Sequence, residues 1–365
     1  MSIAKAMVLF ERLGEFKEKE IEVPQIDEKF ILIRLNCTTT CGTDVHIWKG
    51  ELPSPLPIIL GHESVGILER APENFRDSVG NQLKEGDRVI WSFVEPCYRC
   101  YVCNVEKLPS SCPKRKAYGI NVGCETYPFL NGGYATHIVV GINTPILKVE
   151  STLDDEILSP ISCAVSTVVY ALSSVNIQPR DRTIVLGAGP LGLYTCAYLH
   201  ERNVNKVIVL DYVEERLKMA EEFGAHKTFN LSYFNDNSAL IKEISKEFSQ
   251  DGATLVIEVA GNPAAIDLGT QMLAIGGKLL TIGAVVEGTS KFNTLQFIRK
   301  QASITGSLAY DTAGIYQGLL FIHQIADKYP LRKIVTKSYS LNDLGEALLD
   351  MGSKKIIKGA IKIKR

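Results

Sequence analysis

The chain has 365 residues, enough for two domains of ordinary size, and its 40 basic and 41 acidic residues leave a formal net charge of −1. That balance gives no electrostatic reason to expect a nucleic-acid partner, and charged and hydrophobic fractions of 22% and 45% exclude a disordered or fibrous chain. The apolar stretches are of strand length, which predicts no membrane span, and the start MSIAKAMVLFERLGEF lacks the apolar core of a signal peptide, so we expect a cytoplasmic location.

The first 160 residues consist of short candidate strands joined by turns rich in glycine and proline. The segments KEKEIEV, KFILIRLNC and NGGYATHIVV have the composition and alternation of strands. This part of the chain is therefore predicted to be mainly β.

Four of the nine cysteines are clustered, with the spacing Cys97-x2-Cys100-x2-Cys103-x8-Cys112. Clustered cysteines in a cytosolic chain bind a metal more often than they form disulfides, and four thiolates without an open position describe a structural zinc. A ferredoxin-type iron–sulfur cluster has three residues before its last cysteine, whereas this chain has eight. Two disulfides or a metal-free thiol cluster are the remaining alternatives.

From about residue 183 the pattern changes to alternating strands and helices. TIVLGAG and KVIVLD read as strands, and PLGLYTCAYLHERN and VEERLKMAEEFGA as helices, the second ending at Gly224. ATLVIEVAG, the helix NPAAIDLGTQMLAIGG and the strand KLLTIGA continue the series. The alternation predicts a doubly wound parallel sheet covered by helices on both faces. The last 60 residues lose the alternation and end in KKIIKGAIKIKR. Apart from Lys358, we interpret the basic face of this segment as that of a solvated edge strand rather than a nucleic-acid patch.

A glycine-rich loop joins the first strand and helix of that series. Gly187-Ala188-Gly189-Pro190-Leu191-Gly192 is a G-x-G-x-x-G motif in the strand–turn–helix context of a Rossmann dinucleotide site. Gly187 permits the tight turn, Gly189 lets the backbone approach a pyrophosphate, and Gly192 lets helix and strand pack closely. Pro190 suits the first helical turn, whose free amides face the phosphates.

Asp211 stands nineteen residues after Gly192, at the end of the next strand, where a carboxylate binds the adenosine ribose hydroxyls. A 2′-phosphate would meet this carboxylate as a like charge, so we predict NAD as coenzyme in preference to NADP. Arg216, about one helical turn further on, is a basic residue that a phosphate could recruit. The plainer alternative is an ordinary strand–turn–helix in which Asp211 caps a helix.

Three dispersed residues offer a second set of zinc ligands: Cys41 in CGTDVH, His62 in GHE and Cys163 in PISCA. Two thiolates and one imidazole leave the fourth zinc position for water or substrate, as in a catalytic site. Each residue alone is more often a packing residue than a ligand.

In their order and spacing, CGTDVH, GHE, the four-cysteine lobe and the GAGPLG loop resemble the zinc-dependent medium-chain alcohol dehydrogenases, over essentially the whole chain. Alcohol dehydrogenase is itself the reference example of the two-cysteine, one-histidine set. The resemblance implies a GroES-like, mainly-β catalytic domain at 1–164 and 306–365, with a zinc lobe at about 95–115, and an inserted Rossmann coenzyme domain at 165–305. It implies two zinc ions per chain, NAD, and a homodimer or homotetramer.

The resemblance also implies roles for residues around the catalytic zinc. Asp44 and Glu63 orient the zinc site, and Glu63 enters the coordination transiently. Thr43 and His46 match the proton relay of the family, with an ordinary helix cap and an ordinary exposed histidine as the plainer alternatives. Lys358 falls where a basic residue reaches the coenzyme pyrophosphate.

Trp48, Leu52 and Phe93 occupy family positions for the apolar wall of the substrate pocket, although core packing explains each of them equally well. The reaction implied is reversible hydride transfer between a primary or secondary alcohol and its aldehyde or ketone, with zinc as Lewis acid. Polyol-oxidising members carry Glu where this chain has Ser159 and lack the thiolate of Cys163, which favours an alcohol-type site. The alternatives are a polyol or sugar dehydrogenase, a non-catalytic NAD- or zinc-binding protein, and a zinc-free quinone reductase relative.

Overall fold

A computed structural model describes residues 2–248, 252–284 and 287–363 of the chain and divides it into two compact units. Unit one consists of Met1–Ser166, Ala309–Ala326 and Leu331–Arg365, and unit two of Thr167–Leu308 and Asp327–Pro330. The first boundary lies two residues after the predicted one, and the second lies three residues after it. The last two residues of the basic C-terminal segment, Lys364 and Arg365, lie outside the described residues.

Unit one is built mainly from strands. These are β1 (Ile3–Leu9), β2 (Phe16–Glu22), β3 (Phe30–Thr39), β4 (Ile58–Ile59), β5 (Glu63–Arg70), β6 (Arg88–Trp91), β7 (Val94–Glu95), β8 (Lys116–Ala117), β9 (His137–Gly141), β10 (Ile146–Lys148), and two more that we number β17 (Val335–Ser340) and β18 (Lys358–Lys362) after their place in the chain. They form a three-stranded sheet β2-β1-β4, a seven-stranded sheet β10-β6-β5-β3-β18-β17 with β9 paired to β3, and the ribbon β7-β8.

The helices of unit one connect these strands, and all but α10 are short. They are α1 (Gly42–Lys49), α2 (Tyr101–Asn104), α3 (Asp155–Leu158), α10 (Thr312–Ile325) and α11 (Leu344–Gly352), while the boundary between the units falls inside α4 (Ala164–Ser173). Short 3-10 helices occur at Pro109–Ser111, Ser159–Ser162, Leu331–Lys333 and Leu341–Asp343. No single helix of the described residues is long and apolar enough to cross a membrane; the bent pair 155–162 and 164–173 meets that test by length and composition alone.

Strand β18 lies in the interior of its sheet, so the prediction of a solvated basic edge was wrong. It pairs antiparallel with β3 on one side and parallel with β17 on the other. The residues from Lys358 to Ile361 are buried, and Lys362 is the exposed member of the strand. A lysine in an alternating pattern normally lies on the solvent side, but Lys358 has a buried carboxylate as its partner, as described below.

Unit two contains the parallel sheet predicted from the alternation, and that prediction is confirmed. Its strands are β11 (Arg182–Leu186), β12 (Lys206–Asp211), β13 (Lys227–Asn230), β14 (Ala253–Glu258), β15 (Leu273–Thr281) and β16 (Ser303–Gly306), in the order β13-β12-β11-β14-β15-β16 and parallel throughout. The connecting helices are α5 (Pro190–Glu201), α6 (Glu214–Glu222), α7 (Asn237–Glu247), α8 (Pro263–Met272) and α9 (Thr294–Arg299). Continuous apolar runs suit the strands of a parallel sheet, whose two faces are both buried.

One helix of unit two is shorter than predicted. Helix α8 ends at Met272, and the LAIGG segment that follows belongs to β15. Gly276 has a positive φ of 71°, a conformation that no regular helix contains. The chain therefore leaves the helix before the two glycines and pairs with β14.

Candidate metal centres and active site

Cys41 is the N-cap residue of helix α1, and one residue separates it from the end of strand β3. Its backbone is extended, and its amide donates to Asp44 Oδ2 at 3.0 Å. Cys41 is therefore the capping residue, and the alternative that Thr43 caps this helix is wrong. Thr43 lies in the first turn, two residues from the Cys41 thiol.

His62 immediately precedes strand β5, and its side chain is buried. Its Nδ1 lies 3.1 Å from Asp44 Oδ1, which also accepts from the Gly61 amide at 3.3 Å. Because Nδ1 donates to Asp44, Nε2 is the ring nitrogen left to bind a metal. That Nε2 is buried and makes no well-formed hydrogen bond to any described residue.

Cys163 follows the 3-10 helix Ser159–Ser162, and it completes the predicted ligand set. The ligand atoms of Cys41, His62, Glu63 and Cys163 all lie within 4.8 Å of one another. A hydrogen bond from the Cys163 thiol lowers the pKa of Cys41 well below its ordinary value, and the same bond raises the pKa of Cys163. Burial opposes protonation of His62, but the Asp44 carboxylate and the Cys41 thiolate raise its pKa well above its ordinary value.

Glu63 lies beside these groups and has a buried cation as its partner. Its Oε2 accepts from Lys358 Nζ and, at 2.6 Å, from Thr39 Oγ1, while Lys358 Nζ also donates to the Thr40 carbonyl at 2.9 Å. Burial raises the pKa of Glu63 to about 7, although the Lys358 ammonium opposes the shift. The Oε1 atom is buried and makes no hydrogen bond to any described residue. The ammonium of Lys358 is thus bound to Glu63, and its predicted contact with a coenzyme pyrophosphate stays a prediction.

The donor set fits a zinc ion. Two sulfurs, one imidazole nitrogen and one carboxylate oxygen converge in one buried place, and neither the nitrogen nor the oxygen has a well-formed hydrogen bond to a described residue. Buried polar atoms without partners are costly in a protein interior unless a bound group satisfies them. Zinc prefers this mixture of sulfur and nitrogen ligands, and its binding would displace the protons that Cys163 and His62 hold.

The remaining predicted residues of this site are placed as follows. His46, on helix α1, is partly exposed, and its Nδ1 contacts Glu51 Oε2. The Phe93 ring lies edge-to-face against His62, with ring centroids 5.4 Å apart. Trp48 and Leu52 pack against the hydrophobic core, and Trp48 Nε1 donates to a backbone carbonyl at 3.0 Å. Among the three predicted pocket residues, Phe93 is therefore the one placed beside a candidate ligand.

The four clustered cysteines form a second centre in the 95–115 lobe. Their sulfur atoms converge, with Sγ–Sγ distances of 3.4 Å for Cys100–Cys103, 3.5 Å for Cys97–Cys112 and 3.8 Å for Cys100–Cys112. These separations are far longer than the roughly 2.05 Å of a disulfide, so the disulfide alternative is wrong for this structure. The Arg99 amide lowers the pKa of Cys97 to about 6, which favours the thiolate that a metal requires.

The glycine-rich loop has the geometry that its sequence predicts. Gly187 has a φ of 109°, and a Cβ on Gly192 would lie 2.0 Å from the Gly187 carbonyl oxygen, so both positions require glycine. Helix α5 begins at Pro190, with Gly189 as its N-cap. Helix N-termini of this kind carry backbone amides that bind anions such as pyrophosphates in other proteins.

Asp211 ends strand β12, and its carboxylate is held by backbone amides. Oδ2 accepts from the Ala188 amide at 2.7 Å, and Oδ1 accepts from the Tyr212 and Val213 amides at 2.7 and 2.9 Å. The carboxylate thus contacts the glycine-rich loop directly. Burial lowers the pKa of Arg216, and the nearby Asp211 carboxylate opposes this shift.

Three contacts around the centre formed by Cys41, His62, Glu63 and Cys163 were not predicted from the sequence. Tyr134 donates its hydroxyl to Asp44, Tyr310 donates its hydroxyl to the carbonyl of Ser162, next to Cys163, and Lys358 binds Glu63. These partners lie 90, 148 and 295 residues apart in the chain. No local spacing signals such pairs, because the tertiary fold brings together segments that are far apart in the chain.

Comparison with known proteins gives consistent matches over both parts of the chain. Residues 27–151 match the model of the alcohol dehydrogenase GroES-like domain, and residues 190–324 match that of the zinc-binding dehydrogenases. The chain is 32% identical to an alcohol dehydrogenase of Thermotoga maritima, with both chains fully covered and a TM-score of 0.94. It is 28% identical to 5-exo-hydroxycamphor dehydrogenase of Pseudomonas putida, covering 99% of each chain, and 26% identical to D-arabinitol dehydrogenase 1 of Uromyces fabae, covering 97% of this chain and 95% of the relative.

Proposed function

The chain belongs to the zinc-binding medium-chain alcohol dehydrogenase family, and from this premise we propose that it is an NAD-dependent dehydrogenase that interconverts a primary or secondary alcohol and its aldehyde or ketone. The observation that carries the proposal is the convergence of Cys41, His62 and Cys163, with His62 Nε2 buried and lacking a well-formed hydrogen bond among the described residues.

Each residue of the site has a different proposed role in this reaction. A bound zinc supplies Lewis-acid catalysis, and the nicotinamide coenzyme supplies the hydride acceptor. Cys41, Cys163 and His62 would hold this metal, and the hydrogen bond from His62 Nδ1 to Asp44 would leave Nε2 to bind it. In our proposal Thr43 takes up the proton that the substrate hydroxyl loses and releases its own hydroxyl proton toward His46, and the partly exposed His46 passes a proton on to solvent. Phe93, beside His62, contributes an apolar wall.

Coenzyme binding is assigned to unit two. We propose that the helix N-terminus at Gly189 and Pro190 binds the pyrophosphate and that Asp211 binds the adenosine ribose. Because a 2′-phosphate beside Asp211 would be repelled, we expect kcat/KM with NAD to exceed that with NADP by at least about tenfold. Initial rates with both coenzymes at one saturating alcohol concentration measure this ratio. A higher kcat/KM with NADP would contradict the assignment.

The function is tested with a panel of alcohols and polyols, followed by NADH absorbance. We expect two zinc ions per chain and alcohol oxidation that is lost when a chelator removes the more weakly bound ion. Turnover that survives complete zinc removal, or a chain that binds two zinc ions and oxidises nothing in the panel, would refute the proposal. Size-exclusion chromatography of the same sample tests the expected homodimer or homotetramer.

A polyol dehydrogenase is the second candidate, favoured by the similarity to D-arabinitol dehydrogenase 1. The residues at the site favour the first. Ser159 is fully buried and contacts Thr39, at the position where polyol-oxidising members carry Glu. The panel decides between the two candidates, because arabinitol or xylitol turnover above that of every simple alcohol would establish the second.

Cys100→Ser is expected to lower the melting temperature and to remove one zinc ion per chain, because the four-cysteine centre fixes a lobe that otherwise has little regular structure. Differential scanning calorimetry and metal analysis provide the measurement. Cys124→Ser is the control, since Cys124 is likewise partly buried but belongs to neither metal centre. Equal melting temperatures for Cys100→Ser and the native chain would count against a structural zinc.

A further inference from the structure

The geometry points to Tyr134 as a positioning residue of the catalytic centre, one that acts on the metal through Asp44 and His62. Its hydroxyl donates to Asp44 Oδ2 at 2.7 Å, and Asp44 in turn binds His62. This inference rests on the proposed function, because it assigns a role toward the zinc that Cys41, His62 and Cys163 would hold.

The Asp44 carboxylate is fully buried and accepts four hydrogen bonds from the described residues. Three of the donors are the Cys41 amide, the Gly61 amide and His62 Nδ1, all of which belong to the two segments that carry ligands. The Tyr134 hydroxyl is the shortest of the four contacts and comes from a separate segment. Tyr134 therefore ties the carboxylate to a part of unit one that does not itself hold the metal.

Tyr134 is itself held firmly in place. Its ring is completely buried in the hydrophobic core, and its amide donates to the Leu60 carbonyl at 2.9 Å while its carbonyl accepts from the Met7 amide at 2.9 Å. The ring also lies against the ligand loop, since a Cβ on Gly61 would be 2.9 Å from Tyr134 Cδ1. A group fixed in this way holds its hydrogen-bond partner without further loss of side-chain freedom.

Removal of the hydroxyl would leave Asp44 Oδ2 with one donor among the described residues, the Cys41 amide. The carboxylate could then rotate, and His62 would lose part of the restraint that directs Nε2 toward the two sulfurs. Loss of the groups that orient a metal-binding histidine typically weakens metal affinity by roughly 10- to 100-fold. A residue that served packing alone would lower stability without this effect.

Tyr134→Phe, compared with Tyr118→Phe in the full chain, tests the inference. Tyr118 is a matched control because it is also fully buried in unit one and donates to a carboxylate, that of Glu95, at 2.7 Å. Competition with a chromogenic chelator gives the affinity of each zinc, and the zinc absent from Cys163→Ser identifies the catalytic one. We expect Tyr134→Phe to weaken the catalytic zinc by roughly 10- to 100-fold and to leave the four-cysteine zinc unchanged, while Tyr118→Phe changes neither affinity.

Wild-type affinity in Tyr134→Phe, or equal weakening in Tyr118→Phe, would overturn the inference. A double-mutant cycle gives a second measurement: once Asp44→Asn is present, adding Tyr134→Phe should weaken the zinc little further, and full additivity would also overturn it. If Tyr134→Phe does not fold, Asp44→Asn alone must still weaken the catalytic zinc selectively. A native chain that binds both zinc ions but oxidises no alcohol refutes the proposed function, while the affinities still decide this inference.

Discussion

Cys163→Ser is expected to lower kcat by at least about 100-fold while leaving the fold and coenzyme binding close to those of the native chain. The substitution removes one of the two sulfurs that converge with His62, and a Lewis-acid metal is worth several kcal/mol of transition-state stabilisation. Cys163 contributes a side chain of modest size between a 3-10 helix and α4, so its loss creates no large cavity. NADH absorbance gives kcat, and calorimetry and coenzyme titration check the fold.

Cys124→Ser serves again as the control for this variant, because its thiol is partly buried in the same unit and lies outside both metal centres. It should keep wild-type kcat and both zinc ions. If Cys163→Ser kept the native kcat, the third zinc ligand would have to be another residue, and the proposed function would lose its main support.

Lys358→Met is expected to lower the free energy of unfolding by about 3–5 kcal/mol, because it leaves the buried Glu63 carboxylate without its cation. Methionine fills nearly the same volume as lysine, so the loss is that of the charge and its hydrogen bonds to Glu63 and the Thr40 carbonyl. Urea unfolding at fixed zinc content measures the change.

Two further variants give this prediction its control. Lys337→Met removes an ammonium that binds Glu346 and Asp350 at the surface, where both charges remain hydrated after the change, and should alter stability little. Adding Glu63→Gln to Lys358→Met should restore part of the lost stability, since a neutral amide needs no cation. Equal stability of Lys358→Met and Lys337→Met would show that the buried pair is not required.

The features that could be predicted from sequence are those coded by local spacing. The four-cysteine lobe and the glycine-rich loop each lie within one short segment, so the spacing of Cys97 to Cys112 and of Gly187 to Gly192 already describes their geometry. The parallel sheet of unit two follows from strands that are apolar throughout. In the four-cysteine lobe and the glycine-rich loop, residues that are close in the chain are also close in space.

The contacts that were missed depend on how distant segments of the chain are placed in the fold. The alternation of KKIIKGAIKIKR has the same form in an edge strand as in an inner strand, so the pattern does not reveal that β18 lies between β3 and β17. Nor does the sequence reveal that Lys358 faces Glu63 or that Tyr134 faces Asp44, because each pair comes from distant segments. The resemblance to a family identified Cys41, His62 and Cys163 as one ligand set. From spacing alone, each of them was more simply explained as a packing residue.

The position of β18 has a consequence for biosynthesis. Cys41, His62, Glu63 and Cys163 leave the ribosome early, whereas the ammonium that neutralises Glu63 is translated 295 residues after it. Until that strand inserts beside β3, the nascent centre carries an uncompensated carboxylate, which would attract a cation without yet holding it in a closed protein interior. We therefore expect stable zinc binding at this centre to require completion of translation. Ribosome-bound chains that stop before residue 358 should exchange zinc freely at this centre, while their four-cysteine lobe should already retain its own.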